Sequence, residues 1–560
     1  MKKRFFALAI CFLMILPLVL TGCTNQENNE STERTNSIRE NVSLNMYIIT
    51  DEKTDADQAK AVQMSINEIT LPQYKTTVKI NYITADKYWQ AVEDMENQVI
   101  AKALNSVNSS DTQTSSSADT GEEEMSDEEI KQIENEFNNL IDMVYDSDDI
   151  TLSGPALDII LIDSPEKYME LANAGKLYAL DTTLSGQDKL LNSYIYPVFL
   201  KAAKLSGSVT YGIPVNKPIG KYEYFVFNKS LLAKYGFKAS DFKTFEDLER
   251  YLSVIKANEP NVVPLTKAPS PANFDFYGPE GSAVAAKRTD NMTSFAETIF
   301  NAYENNEFKN HFSTVRKYKL AGYIPDSYTQ GQKFAVDVRT GYDYSPEVWE
   351  TEDKTGYECV VYKKPVANNE NVLNSVFAVS AFSSNPTRAA EIIKYFNTNS
   401  DLANLLQYGI RGTHYFLNDT TKEISFMDDH EKYIMNNEYT GNTYIKYNVY
   451  GSGDHLESYK KQNLNVGIGS FLGFNAGFTA DEQEIFDAAQ KITQKYYDKL
   501  LQGTLDVDST FNMINNELSN IAVNSNDTAS RVSFDDFIKN VISERYVSYI
   551  STANETYYAQ

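Results

Sequence analysis

Apolar and polar positions change their period along this chain, and each change marks an element. The run Phe5 to Leu20 is almost wholly apolar and follows Lys2, Lys3 and Arg4, whereas residues 24 to 41 offer almost nothing to bury. Such a polar stretch reads as a flexible stalk. Leu44 to Ile49 then reads as a strand that ends in the Thr50-Asp51 turn. Ala59, Val62, Ile66 and Ile69, spaced 3, 4 and 3 apart, predict a helix with one buried face. Val78, Ile80 and Tyr82 alternate as a second strand. Strand, helix and strand at this spacing predict a parallel βαβ unit.

Helical spacing continues through Tyr88, Val92, Met95 and Val99. Trp89 lies within that pattern and is expected in the core. The tract 105–125 is rich in Ser, Thr, Asp and Glu and reads as a disordered insertion. Ser126 to Glu129 has the form of a capping box in front of Ile130, Ile133, Phe137 and Leu140. Leu157 to Ile162 is nearly continuous in apolar residues, as a central parallel strand covered on both faces requires. Tyr224–Phe227 and Val376–Val379 read as further strands. Helices are predicted to start at Thr244, Pro386 and Thr479, and the chain is expected to finish largely helical. A chain of this length divides into at least two lobes, and alternating strands and helices make the fold class α/β.

Charge narrows the partners. The chain has 560 residues and a formal net charge of −26, which repels phosphate backbones and anionic head groups, so nucleic acid is excluded. Cysteine occurs only at positions 11, 23 and 359, too few for a disulfide framework. Cys359 reads as a small packed residue. Aromatic residues reach 12%, with 38 Tyr and 29 Phe, a supply of rings with an apolar face and, in tyrosine, a polar edge.

The basic start, the apolar run and the small residues before Cys23 have the layout of a secretory signal, and Leu20-Thr21-Gly22-Cys23 resembles the lipobox of bacterial lipoproteins. That resemblance implies a signal peptide over 1–22, a diacylated Cys23, a stalk over 23–43 and a location on the outer face of the cell membrane. Asp158-Ile159-Ile160-Leu161, Tyr211-Gly212-Ile213-Pro214-Val215, Tyr224 to Leu232, Ser384 to Glu391, Tyr408 to Tyr415 and Phe471-Leu472-Gly473-Phe474 resemble landmarks of extracellular solute-binding proteins of ABC importers. The match is best to the large carbohydrate-binding (family 1) lipoproteins of Gram-positive bacteria. The resemblance implies two α/β lobes of the periplasmic-binding-protein type II, joined by a hinge. Lobe one would hold 44–221 plus 378–430, with the insertion 105–125, and lobe two 222–377 plus 431–560. The chain crosses between them near Tyr222–Phe227 and Ser375–Ser380. The function implied is capture of a carbohydrate, an oligosaccharide for preference, for delivery to the permease subunits of the importer by a monomer that is not an enzyme and needs no cofactor.

Sugar sites combine acids or amides with flat rings. Asp51 and Glu52 follow the first strand and Asp163 the buried one, where family members contact ligand; each acid is either a hydroxyl acceptor or a turn or cap residue. Phe276 and Tyr277, and Arg339, Tyr342, Tyr344 and Trp349, form the two aromatic stretches best suited as platforms, the alternative being lids over a core. Arg411 either faces the cleft or pairs with a local acid. The four histidines lack metal spacing, so no metal site is expected. Asp506, Asp508, Thr510 and Glu517 follow a calcium-loop register, but Phe511 stands where that loop needs glycine, and Phe511, Ile514, Leu518 and Ile521 make a helical face. A secreted glycoside hydrolase, whose two acids no motif would reveal, and a peptide-binding or adhesive surface lipoprotein are the alternatives.

Overall fold

A computed structural model describes residues 40–109, 156–181, 188–205, 209–288, 295–352, 356–453, 455–525 and 528–558. The expected signal, Cys23, most of the stalk and the helix after Ser126 lie outside these. Strand β1 (Val42–Thr50), helix α1 (Ala56–Tyr74) and strand β2 (Thr76–Thr84) form the predicted unit, with β1 and β2 paired in parallel from Val42↔Thr76 to Thr50↔Thr84. Asp55 caps α1 by accepting from the amides of Asp57 and Gln58, and Lys75, left-handed at φ 53°, ends it. Helix α2 (Ala85–Ser109) runs into the start of the tract expected to be disordered; the rest of that tract is outside the described residues.

Strand β3 (Ile159–Ile162) is buried along its whole length at the centre of a five-stranded sheet. It pairs in parallel with β1 but antiparallel with the late strand Val376–Val379, which also pairs with β4 (Gly212–Pro214). The sheet is therefore mixed, because a strand returning from the other lobe enters from the opposite end. The Tyr88 hydroxyl accepts from the Leu161 amide at 2.9 Å and donates to a carbonyl of β1 or β3, which locks α2 onto the sheet. Helix α3 (Pro165–Asn173), capped by Ser164, follows β3 directly.

The second sheet has the order Tyr357–Lys363, β5 (Tyr222–Asn228), Phe334–Gly341 and Val263–Leu265. Helices pack on it around Phe225, Phe227, Leu252, Val336 and Val338. Beside it stands a third core, built from the three strands over 274–301 and the C-terminal helices, with Phe308, Phe486, Phe511, Phe534 and Tyr546 inside.

Tyr222–Asn228 lies wholly in the second sheet and Val376–Val379 wholly in the first, so the chain passes over at 215–221 and 364–375. It passes a third time near Val466–Phe471, where Gly467–Ile468 pairs in parallel with Val366–Ala367. Two amides from the helix Leu456–Asn465 serve the first crossing: Asn463 accepts from the Ile219 amide at 2.8 Å, and Gln462 donates to the Gly220 carbonyl at 2.7 Å. Residues 431–446, expected in lobe two, pack on the first body instead. The Tyr433 hydroxyl donates to Leu406, and Lys446, fully buried, donates to Thr440 and Asn437.

Near the C-terminus the helix Val507–Leu518 is capped by Asp506, as a helix start rather than a calcium loop requires. Ile521, expected on its face, opens a strand (Ile521–Ser525) of a hairpin instead. Among the described residues no helix is long and apolar enough to cross a membrane.

Candidate functional site

A cavity of about 580 Å³ opens between the two bodies. One wall is α3, which presents Glu166, Met169, Glu170 and Asn173 on one face because they recur at helical spacing. The opposite wall comes from the helical core: Phe276, Tyr277 and Gly278 at the end of a short strand, Phe478 in a loop, and Gln483, Phe486 and Asp487 on the first two turns of the helix Ala480–Leu501. Asn369, Glu370 and Phe471, from the second and third crossings, form its floor.

The hard parts of the wall are held rigidly. Thr479 and Glu482 form a capping box that starts the helix, and Arg545 pairs with Glu482 at 2.8 Å while donating to the Ala476 carbonyl at 2.9 Å. Asn369 accepts from the Gly473 amide at 2.7 Å and donates to the Phe474 carbonyl at 3.0 Å, so the second crossing grips the third. The Tyr277 hydroxyl accepts from the Ala476 amide at 3.1 Å, and its ring touches those of Phe471, Phe474 and Phe486. Gly278 has φ +100°, and a Cβ there would come within 2.7 Å of Gln490. At the rim the Asn475 amide donates to Asn173 at 2.8 Å, a direct contact across the gap.

Electrostatically the cavity is one-signed. Glu166, Glu170, Glu370 and Asp487 line it and no Lys, Arg or His does. Burial, and then the neighbouring Glu166 carboxylate, push Glu370 up to about 7, so Glu370 keeps its proton to near neutrality. Lys167 neutralises Glu170 from outside at 2.7 Å. Hydroxyl-rich neutral molecules suit such a surface: carboxylates and amides take their donors, and rings cover their C–H faces. Phosphorylated ones do not.

Of the residues expected at a site, Phe276 and Tyr277 line the cavity, though as wall packed into a core rather than exposed platforms. The rest lie elsewhere. Asp51 and Glu52 are exposed, Asp51 accepting from the Lys53 amide at 2.9 Å as a turn residue. Asp163 accepts from the Trp89 indole at 2.9 Å. Trp89 is thus half-buried at the edge of the first core rather than inside it, because its N–H needs an acceptor. Tyr342 and Tyr344 pack on the helix Leu456–Asn465: Tyr344 stacks on His455 at 3.5 Å and its hydroxyl meets that of Tyr459 at 3.0 Å. Arg339 and Trp349 lie in a separate groove of the second sheet. Arg411 pairs with Asp419 at 2.7 Å, both exposed, the local partner that was its alternative.

Glu166, Glu170, Glu370, Gln483, Phe486 and Asp487 were missed. Glu166 and Glu170 sit four apart on one helix face directly after a buried strand, the single signal that pointed to them. Among the described residues no group of three or more His, Cys, Asp or Glu side chains is placed to hold a metal ion.

A family model described as bacterial extracellular solute-binding protein matches residues 143–338. A carbohydrate ABC transporter substrate-binding protein of Streptococcus pneumoniae is 27% identical over 416 residues, 70% of this chain and 81% of that protein. Among solved structures, the N-glycan transport solute binding protein NgtS of S. pneumoniae is 21% identical, with a TM-score of 0.61 over 91% of this chain and 99% of that one. An HMO-binding, ABC-transporter-associated solute binding protein of Bifidobacterium longum infantis is 12% identical, with a TM-score of 0.51 over 92% of this chain and 99% of its own. The chain thus resembles the family its landmarks pointed to, and its fold is the two-lobe α/β type of solute-binding proteins.

Proposed function

We propose, from the premise that this chain is similar to bacterial extracellular solute-binding proteins, that it captures a neutral oligosaccharide between its lobes and hands it intact to the permease of an ABC importer. The observation that carries this reading is the cavity itself: acids and amides from α3 face rings and amides from the other body, with no basic side chain between them. Only closure of both walls on one solute satisfies both halves at once. The relative is a carbohydrate transporter component and NgtS an N-glycan transport protein, which favours a sugar of several units. Lobe one is taken as 42–214 with 376–463, and lobe two as 222–363 with 471–558, three crossings forming the hinge.

The chain is further proposed to be cut before Cys23, acylated there and held as a monomer on the outer face of the membrane, with residues 24–41 as a stalk. Transport energy comes from the importer's ATPase.

A thermal-shift screen of purified protein against a glycan library, followed by mass spectrometry of the recovered sugar, tests this. A bound glycan at about 100 times its Kd adds about 2.7 kcal/mol and raises Tm, and it returns uncleaved. No shift with any glycan, or recovery of shortened sugar, overturns it.

A further inference from the structure

The second sheet carries another cavity, a groove of about 570 Å³ lined by Thr266, Lys267, Tyr328, Asp337–Thr340 and Trp349, none of which lines the space between the bodies. Its floor is a prepared polar set. Asp337 accepts from the Thr266 hydroxyl at 2.5 Å and from Arg339 Nε at 2.8 Å. The guanidinium of Arg339 lies within a cage of rings, 5.5 Å from Trp349, 5.2 Å from Tyr357 and 5.8 Å from Phe334. Trp349 is fixed edge-on against Tyr224 at 5.5 Å, and Gly341 makes room for it, since a Cβ there would stand 2.7 Å from the indole. Trp349 and Tyr328 are both half-buried, so each keeps ring surface toward the groove.

This arrangement is rigid, flat and close to neutral. Asp337 cancels the charge of Arg339, leaving only solvated Lys267 at the rim, so nothing in it selects a phosphate. It does hold a carboxylate with a hydroxyl partner in one groove with the rings of Trp349 and Tyr328, which is the pairing that a pyranose ring, hydroxyls at its edge and C–H on its faces, requires. Its volume is within the range of small-ligand sites.

We propose that this groove is a second glycan-binding site, independent of the cavity between the lobes, which takes a neutral pyranose unit with its face on Trp349 and its hydroxyls on Asp337 and Arg339. It shares with the proposed transport function only the class of ligand. A sugar chain held at both places is retained by avidity, whereas the groove alone binds weakly and reversibly.

Trp89 and Trp349 are the two tryptophans of the chain, so 5-fluorotryptophan labelling gives two fluorine resonances, assigned through Trp349→Phe. The probes are methyl glycosides of glucose, galactose, mannose and N-acetylglucosamine. At least one of them shifts the Trp349 resonance saturably, both in the native protein and in the double variant Glu170→Ala/Gln483→Ala, whose changes are confined to exposed side chains of the interlobe cavity. Tyr328→Ala weakens that response about fivefold or more while leaving the Trp89 resonance in place. A Trp349 resonance that no probe moves, or whose movement disappears in the double variant, overturns the proposal. Binding at the groove with no glycan response in the cavity would instead remove the transport function and leave the groove standing.

Discussion

The cavity between the lobes and the tyrosine cluster over the helix Leu456–Asn465 use the same side-chain chemistry for opposite ends. In the cluster Tyr344 lies flat on His455, Tyr342 meets Tyr459 edge-on at 5.0 Å, and the hydroxyls of Tyr344 and Tyr459 meet each other. Each ring there already spends a face or an edge on another ring. In the cavity Phe276, Tyr277 and Phe486 are packed from behind and acids stand in front of them, Glu170 paired with Lys167 from outside and Asp487 accepting from the Gln483 amide. Aromatic richness alone therefore does not mark a binding surface; what marks it is rings backed by a core and faced by the acids and amides of another element.

Phe486→Ala should break the cavity most severely. The residue is 8% exposed and touches Tyr277 and Phe478, so its loss costs about 3–5 kcal/mol in urea unfolding and lowers glycan affinity about tenfold or more by calorimetry. Unchanged affinity would move the site elsewhere. Glu370 gives the next effect. Its folded pKa is raised from 4.5 to about 7, so the native state keeps a proton that the unfolded chain has released. That contribution to stability is complete below about 4.5 and is lost as pH rises through about 7. Tm measured from about pH 5 to 8 should therefore fall more steeply in the native protein than in Glu370→Gln, and parallel profiles would show that Glu370 holds no proton above its ordinary range.

Tyr344→Ala sharpens the contrast from the other side. It should cost about 1 kcal/mol of stability through the lost stack on His455, and leave glycan affinity unchanged. A fall in affinity would restore the cluster to the site. Arg411→Ala should be smallest, with no detectable change in Tm or affinity, because its pair with Asp419 is fully in solvent.

Much of the first lobe was legible because its signals are local. The βαβ pattern and the buried run at Ile159–Ile162 depend on residues a few positions apart, as does the cap at Thr479 outside that lobe. The cavity was not legible, since it joins Glu166, Phe276, Glu370 and Phe486, which only three chain crossings bring together. The packing of Tyr342 and Tyr344 was not legible for the same reason. Their loop composition suits a platform, and the helix that covers them begins more than a hundred residues later. The hairpin from Ile521 hid behind a helical period that happened to continue one step past the end of its helix.

Closure of two lobes on one glycan is tested most directly by the distance between them. Spin labels at Glu68, exposed on α1, and Lys491, exposed on the helix Ala480–Leu501, in a Cys359→Ser background, report that distance by double electron–electron resonance. A saturating glycan should collapse a broad distribution into one shorter, narrower peak. A distribution that stays the same at saturation, with binding confirmed in the same sample, would contradict it.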